Sequence, residues 1–258
     1  MRDDSGALPW LMPGAPFPDT STALDDPDGL LAVGADLRPA TLLRAYRAGI
    51  FPWYGDGQPI LWWSPDPRLV LRPSRFHCSR SLRKLLRQGR FEFSFDHAFS
   101  RVIHACASVP RHGQHGTWIT DDMLVAYQQL HELGYAHSLE VWQDGELAGG
   151  FYGINLGAMF FGESMFSLRP NASKAALAMF CLLQPAHGVT LIDCQMETPH
   201  LLSLGADVWP RSEFEQALRE RVEAPSRWQW PHEVAPLAEY RRRYRLESSP
   251  LGQFLFSS

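Results

Sequence analysis

The sequence predicts an α+β protein: a small N-terminal domain over residues 1–67, a larger domain of alternating strands and helices over residues 68–222, and a C-terminal tail or wrap over residues 223–258. Three observations carry this. The lead is rich in proline, glycine and aromatic residues and holds one short helical repeat. From Arg68 onward apolar residues recur regularly, with the periods of strands and helices in the order ββααβββαβα. Beyond Val222 prolines, arginines and serines prevail.

Within the lead, Pro39 to Gly49 reads as an amphipathic helix, with Leu42, Leu43 and Tyr46 on one face, proline in the first turn and glycine just past the end. Phe51 to Arg68 carries four prolines among Trp53, Tyr54, Trp62 and Trp63, and reads as an aromatic-lined loop too proline-broken for regular structure. Leu69 to Leu71 and Phe91 to Phe95 are strand-like. Between them Ser79 to Gly89 predicts a short helix with Leu82, Leu85 and Leu86 inward. Asp96 is placed to cap a helix whose apolar face is Phe99, Val102, Ile103 and Cys106, and Thr120 to cap another bearing Leu124, Tyr127, Leu130 and His131. His137 to Gln143, Leu147 to Ile154 and Ala158 to Ser164 alternate as strands around turns at Asp144-Gly145 and Asn155 to Gly157, most simply an antiparallel meander. A helix from Asn171 to about Gln184 is expected to stop at Pro185, followed by a strand Val189 to Gln195. Ser212 with Glu215 has the spacing of a capping box for a last helix.

The chain has 258 residues, 45% of them hydrophobic, and a formal charge of −4, which suits one large core or two modest ones. The first residues hold no apolar run of signal-peptide length and no later stretch approaches a membrane span, so a cytoplasmic protein is expected. The four cysteines show neither disulfide-scaffold density nor C-x-x-C spacing. His112 and His115 lack further ligands at recognisable spacing, and no metal is expected. Against the acidic total, Arg72 to Arg90 holds seven cations and no Asp or Glu, including Arg80, Arg83, Lys84 and Arg87 on the outer face of the short helix. Such a run is usually a solvated face; a phosphate backbone is its functional partner.

The strings GLLAVGADL, AYRAGIFPWY, ILWWSPDPR, GTWIT, AHSLEVW, GGFYG, FGESMFS, ASKAAL, LIDCQ and HLLSLGA follow one another from Gly29 to Ala206. In order and spacing the chain resembles the leucyl/phenylalanyl-tRNA protein transferases. Ala35 stands where that family more usually has glycine, and the tail beyond Val222 is longer than expected of it. The element order also resembles the GNAT-like acyltransferase fold, which implies a twisted mixed sheet over residues 68–222, although the phosphate-binding Gln/Arg-x-x-Gly-x-Gly/Ala loop of coenzyme A users is absent. The resemblance implies an aminoacyltransferase that moves Leu or Phe, and also Met, from aminoacyl-tRNA to an N-terminal Arg or Lys of acceptor proteins, marking them for degradation. It implies no cofactor, no membrane and a monomer. A coenzyme A acyltransferase on the same fold and a non-catalytic tRNA-binding module are the alternatives.

The resemblance also implies the site. In LIDCQ, alternation places Leu191, Asp193 and Gln195 on one face and Ile192 and Cys194 on the other. Asp193 and Gln195 match the family's proposed catalytic pair. A primary amide does not titrate usefully, so Gln195 is suited to orienting an amine, with Asp193 to polarise it or to stabilise the developing ammonium. Glu163, on an apolar strand, needs a partner, either an arginine of this chain or a basic group of the substrate. Trp53, Trp118 and Tyr127 match positions around a terminal adenosine, and Phe151, Leu177, Phe180 and Ile192 match an aminoacyl side-chain pocket; by residue type alone all of these read as core. Because the donor ester is already activated, most of the acceleration is expected from holding amine and ester in register.

Overall fold

The computed structural model describes residues 8–109, 119–225 and 231–257. In the N-terminal part, strands β1 (Trp10–Leu11) and β2 (Leu30–Gly34) precede helix α1 (Pro39–Arg47), and β3 (Phe51–Pro52) and β4 (Leu61–Trp63) follow. The four strands form a sheet in the order β1-β2-β4-β3. The loop expected over Phe51 to Arg68 is therefore partly a sheet, with Phe51 paired to Trp63 and Pro52 to Trp62. Proline is tolerated because β3 is an edge strand, where its missing N–H breaks no ladder. Ala35, just past β2, has a φ of 61°, a left-handed conformation that glycine adopts without strain and alanine does not.

The larger sheet begins with β5 (Arg68–Leu71); helix α2 (Arg80–Arg87), strand β6 (Glu92–Phe95) and helices α3 (Phe99–Ser108) and α4 (Asp121–Glu132) come next. The meander β7 (Ala136–Gln143), β8 (Glu146–Leu156) and β9 (Met159–Ser167) leads through α5 (Ala172–His187) to β10 (Leu191–Gln195). Then come α6 (Pro199–Ser203), β11 (Asp207–Trp209), α7 (Arg211–Arg221), β12 (Ala235–Pro236), α8 (Leu237–Tyr244) and α9 (Pro250–Phe256). The eight strands run β11-β5-β10-β9-β8-β7-β6-β12, antiparallel except for the parallel β9–β10 pair that the α5 crossover creates. The fold is α+β with a mixed sheet. The segment beyond Val222 adds an edge strand through β12 and two helices, so it wraps the sheet rather than trailing from it.

Four local readings change. Asp96 does not cap α3: its carboxylate takes the Ser138 N–H at 2.8 Å and meets His137 Nδ1 at 2.7 Å, which binds it to β7 instead. On α4 the buried face is Met123, Ala126, Tyr127 and Leu130, one step round from the face expected. Helix α5 continues past Pro185 to His187, since near a helix end the missing N–H costs a single rung, and Gly188 in the left-handed region closes it. Helix α7 starts at Arg211 behind Pro210 with no side-chain cap; Glu215 instead accepts a hydrogen bond from Thr20 Oγ1, tying α7 to the N-terminal segment.

Alternation across the large sheet makes two cores. Val70, Tyr152, Phe161 and Leu191 face the side covered by α1, α3, α4 and α7, while Leu69, Leu71, Phe151, Phe160 and Ile192 face the side covered by α2, α5 and the C-terminal helices. The β9–β10 ladder runs only from Leu191↔Met159 to Asp193↔Phe161. Beyond Phe161 strand β9 continues to Ser167 without β10 alongside, and the chain opens there. Gly153 beside this gap is close-packed: a Cβ would stand 2.1 Å from the Phe161 carbonyl and 2.5 Å from the Phe160 ring. Gly153→Ala is expected to lower the denaturation midpoint by an amount equivalent to about 1–3 kcal/mol of overpacking. A midpoint equal to wild type would show that the strands relax at no cost.

Candidate active site

A cavity of about 530 Å³ occupies the gap between β9 and β10. Phe151, Phe160, Leu177, Phe180 and Ile192 form its apolar side, Phe51, Pro52 and Trp53 come from the N-terminal sheet, and Glu163, Cys194, Gln195, Thr198 and His200 supply polar groups. The four residues expected to line a side-chain pocket are thus brought together. Phe180 is fully buried and packs edge-on to Phe151 with centroids 5.4 Å apart and against Phe160 at 4.6 Å. Leu177 and Phe180 meet the cavity because they lie one helical turn apart on α5.

Glu163 and Gln195 touch: Gln195 Nε2 donates to Glu163 Oε1 at 2.9 Å. The other Glu163 oxygen accepts from the Tyr127 hydroxyl at 2.9 Å, and the Tyr127 hydroxyl is in turn bonded to that of Tyr46. Glu163 is 8% exposed. Burial pushes its carboxyl up to about 7, the hydroxyls of Tyr46 and Tyr127 pull the other way, and the charge of Asp193 adds to the rise. Burial likewise raises both tyrosines well above their ordinary value, so they remain neutral donors. The partner sought for Glu163 is therefore a tyrosine pair and an amide, not an arginine.

Asp193 is placed otherwise than alternation suggested. It is fully buried, and its two oxygens accept from Arg68 Nε at 2.8 Å and Nη2 at 2.7 Å. The Arg68 guanidinium lies between the rings of Phe51 and Phe214, at 4.9 and 4.5 Å from their centroids. Asp193 reaches Gln195 through the backbone, with Oδ1 accepting the Gln195 N–H at 2.9 Å. A bulge falls between Asp193 and Gln195 in the pairing with β5, and Gln195 has a φ of 64°. Cys194 and Gln195 consequently both line the cavity, which regular alternation forbids. Asp193 is a buried anchor for the Gln195 backbone rather than a polar group projecting beside it.

The expected adenosine-stacking residues separate. Trp53 is half-buried at the cavity wall, edge-on to Trp63 at 5.4 Å. Tyr127 is fully buried, so its ring offers no open face and it serves the site through its hydroxyl. Trp118, His112 and His115 lie outside the described residues. No cluster of three potential metal ligands occurs among the described residues. No helix among them is long and apolar enough to cross a membrane.

On α2, capped by Ser79 through the Leu82 N–H, Leu82 and Leu86 are buried, and Arg80, Lys84 and Arg87 are exposed. Arg83 is half-buried over the Phe254 ring, and both Arg83 and Arg87 donate to the Ser257 carbonyl. The cationic face therefore exists, although two of its four cations already hold the C-terminal helix. Sequence reasoning passed over Phe51, Phe160, Cys194, Thr198 and His200 on the cavity wall and, behind it, Arg68 and Tyr46, for which a signal was present. The available signals were a lone cation opening an otherwise apolar strand and a tyrosine on the inner face of α1.

The chain matches the family described as leucyl/phenylalanyl-tRNA protein transferase over residues 70–219 and the family of its N-terminal domain over residues 35–66. It is 55% identical over 233 residues to a leucyl/phenylalanyl-tRNA protein transferase of Alcanivorax borkumensis, covering 87% of this chain and 96% of that one. It is 56% identical over 238 residues to one of Aromatoleum aromaticum, covering 92% and 99%. Among solved structures it is similar to a GCN5-related N-acetyltransferase from Kribbella flavida, with a TM-score of 0.33 at 10% identity over 67% of this chain and 61% of that one.

Proposed function

This chain belongs to the leucyl/phenylalanyl-tRNA protein transferase family and is an aminoacyltransferase; from that premise we propose that it transfers Leu, Phe or Met from aminoacyl-tRNA to the N-terminal Arg or Lys of cytoplasmic proteins, giving products that a degradation pathway reads. The observation that carries this reading is the apolar cavity of about 530 Å³ whose wall presents the Glu163–Gln195 pair. An aminoacyl side chain fits the apolar end, and its ester then lies at the polar wall. Trp53 offers the half-exposed aromatic face on which the terminal adenine stacks.

In the proposed reaction the α-amine of the acceptor attacks the ester carbonyl, the new C–N bond forms, and the bond to the ribose oxygen breaks. The proton released by the amine passes to Glu163, whose proton affinity near neutrality suits it to accept that proton and return it to the leaving ribose oxygen. Gln195 holds Glu163 from one side and Tyr127 from the other. Asp193 and Arg68 act as positioning residues by fixing the backbone of Gln195.

Side-chain choice resides in the pocket, since elongator tRNAs share one terminal CCA. No charged residue stands at its apolar end, so charged donors are excluded by desolvation. Val and Ile should be poor donors, because a difference of one methylene or its placement changes discrimination by about 1–3 kcal/mol. The test is kcat/KM for Leu, Phe, Met, Ile and Val on a common tRNA body, in wild type and Phe180→Ala. Removing the Phe180 ring, which touches both Phe151 and Phe160, should lower Leu transfer and narrow the differences among apolar donors. An identical ranking in both proteins would remove Phe180 from the pocket.

A further inference from the structure

Helix α9 is wedged between two cationic helices. On one side Arg83 of α2 lies over Phe254 at 4.9 Å, and Arg83 and Arg87 hold the Ser257 carbonyl. On the other, Arg241 of α8 lies over Phe256 at 4.4 Å. From Leu237 to Ser257 the chain carries four arginines against two glutamates, although the whole protein is acidic. Three of those arginines, Arg241, Arg242 and Arg245, line a cleft of about 430 Å³ with Ala238 and Glu247. Glu247 is bonded to Arg241, and Glu233 pairs with Arg243 at 3.7 Å. Among the described residues Arg242 and Arg245 are exposed and have no carboxylate partner.

We propose that α9 joins α2 and α8 into one phosphate-binding surface, in which Arg242 and Arg245 hold the backbone of the same donor tRNA that Arg80 and Lys84 engage; this rests on the aminoacyl-tRNA reading above. With Arg83 and Arg87 committed to Ser257, α2 alone presents only Arg80 and Lys84 without such a commitment among the described residues. That is a sparse site for a polyanion. Arg242 and Arg245 replace the committed charges on the far side of α9, two helix spacings or about 16–20 Å away, and several backbone phosphates recur within that distance. The aromatic rings of α9 stack under the guanidinium groups at its flanks and so hold together two like-charged helices that would otherwise repel. The cleft shape suits a protruding phosphate, and the absence of a paired carboxylate at Arg242 and Arg245 leaves their donors available.

The experiment measures binding of a deacylated elongator tRNA to the full chain at several sodium chloride concentrations. Each lost phosphate contact removes about 0.7 to 0.9 from the slope of log K against log salt. Arg242→Gln with Arg245→Gln should therefore flatten the slope by roughly two such contacts, and Arg80→Gln with Lys84→Gln should do the same. Arg242→Lys with Arg245→Lys should retain the wild-type slope, which separates charge from any structural contribution of the side chains. A salt-dependent wild type with an unaltered slope in the Arg242/Arg245 glutamine variant would overturn the C-terminal surface alone. A wild type that binds without salt dependence would overturn the tRNA reading on which it rests.

Discussion

Asp193→Ala is expected to destabilise the protein by about 3–5 kcal/mol, the cost of leaving a buried charge without its partner. Arg68 and Asp193 are each about 1% exposed and meet through two hydrogen bonds, and the guanidinium is otherwise enclosed by Phe51 and Phe214. Truncating the acid strands the cation in that apolar sandwich. For a chain of this size the melting temperature should fall by roughly 10 °C. Replacing both partners, as Arg68→Met with Asp193→Leu, should recover much of that loss, because a well-packed apolar pair need not desolvate two ions. The double variant should nevertheless transfer poorly, since Gln195 loses the carboxylate that fixes its backbone N–H. A thermal melt of Asp193→Ala within 2 °C or so of wild type would refute the anchor role. Transfer restored along with stability in the double variant would show that Gln195 keeps its left-handed geometry unaided.

Asp193 also shows where sequence reasoning reached its limit. The composition of LIDCQ marked a polar pair on an apolar strand, whereas Phe151, Leu177, Phe180 and Ile192 read by residue type only as core; the family resemblance, not their period, singled them out as the residues that the cavity brings together. A bulge has no periodic signature. The one between Asp193 and Gln195 changes which groups meet, and it depends on the pairing of β10 with β5, which lies 125 residues away in sequence in the Arg68–Asp193 contact. The helix of Pro39 to Gly49 was legible from its helical period and its flanking proline and glycine, whereas the pairing of Phe51 with Trp63 was hidden by prolines that only an edge strand tolerates. Tyr127 illustrates a further gap: helical spacing placed it inward, but not the hydroxyl that reaches Glu163. The cationic helix was equally plain in the sequence, yet its ties to Ser257 depend on where a tail rich in Arg and Ser returns.

Glu163→Gln is expected to reduce kcat/KM by about 10² to 10⁴, the range for removing a positioned general base, with little loss of fold because the amide fills the same space. The pH profile identifies the step. In wild type the active form carries Glu163 as a carboxylate, so the rate rises as pH passes through about 7. The acceptor amine, with an ordinary value of about 8, adds a second rise. In the variant the lower limb should vanish and the upper one remain. The sign for stability is opposite. Burial raises the folded carboxyl from 4.5 to about 7, so the folded state holds a proton that the unfolded chain has released across that interval. Wild-type stability from this group is therefore fully present below about pH 4.5 and is lost as pH climbs to about 7, whereas a glutamine feels no such change. The stability of Glu163→Gln relative to wild type should grow over the same interval, as read by denaturant melts at matched pH. A carboxylate that serves only as packing would still give that growth, so the two readouts divide the roles. Growth with an unshifted rate profile would leave Glu163 a buried acid in the wall of the pocket, and growth with the lost lower limb assigns it the proton.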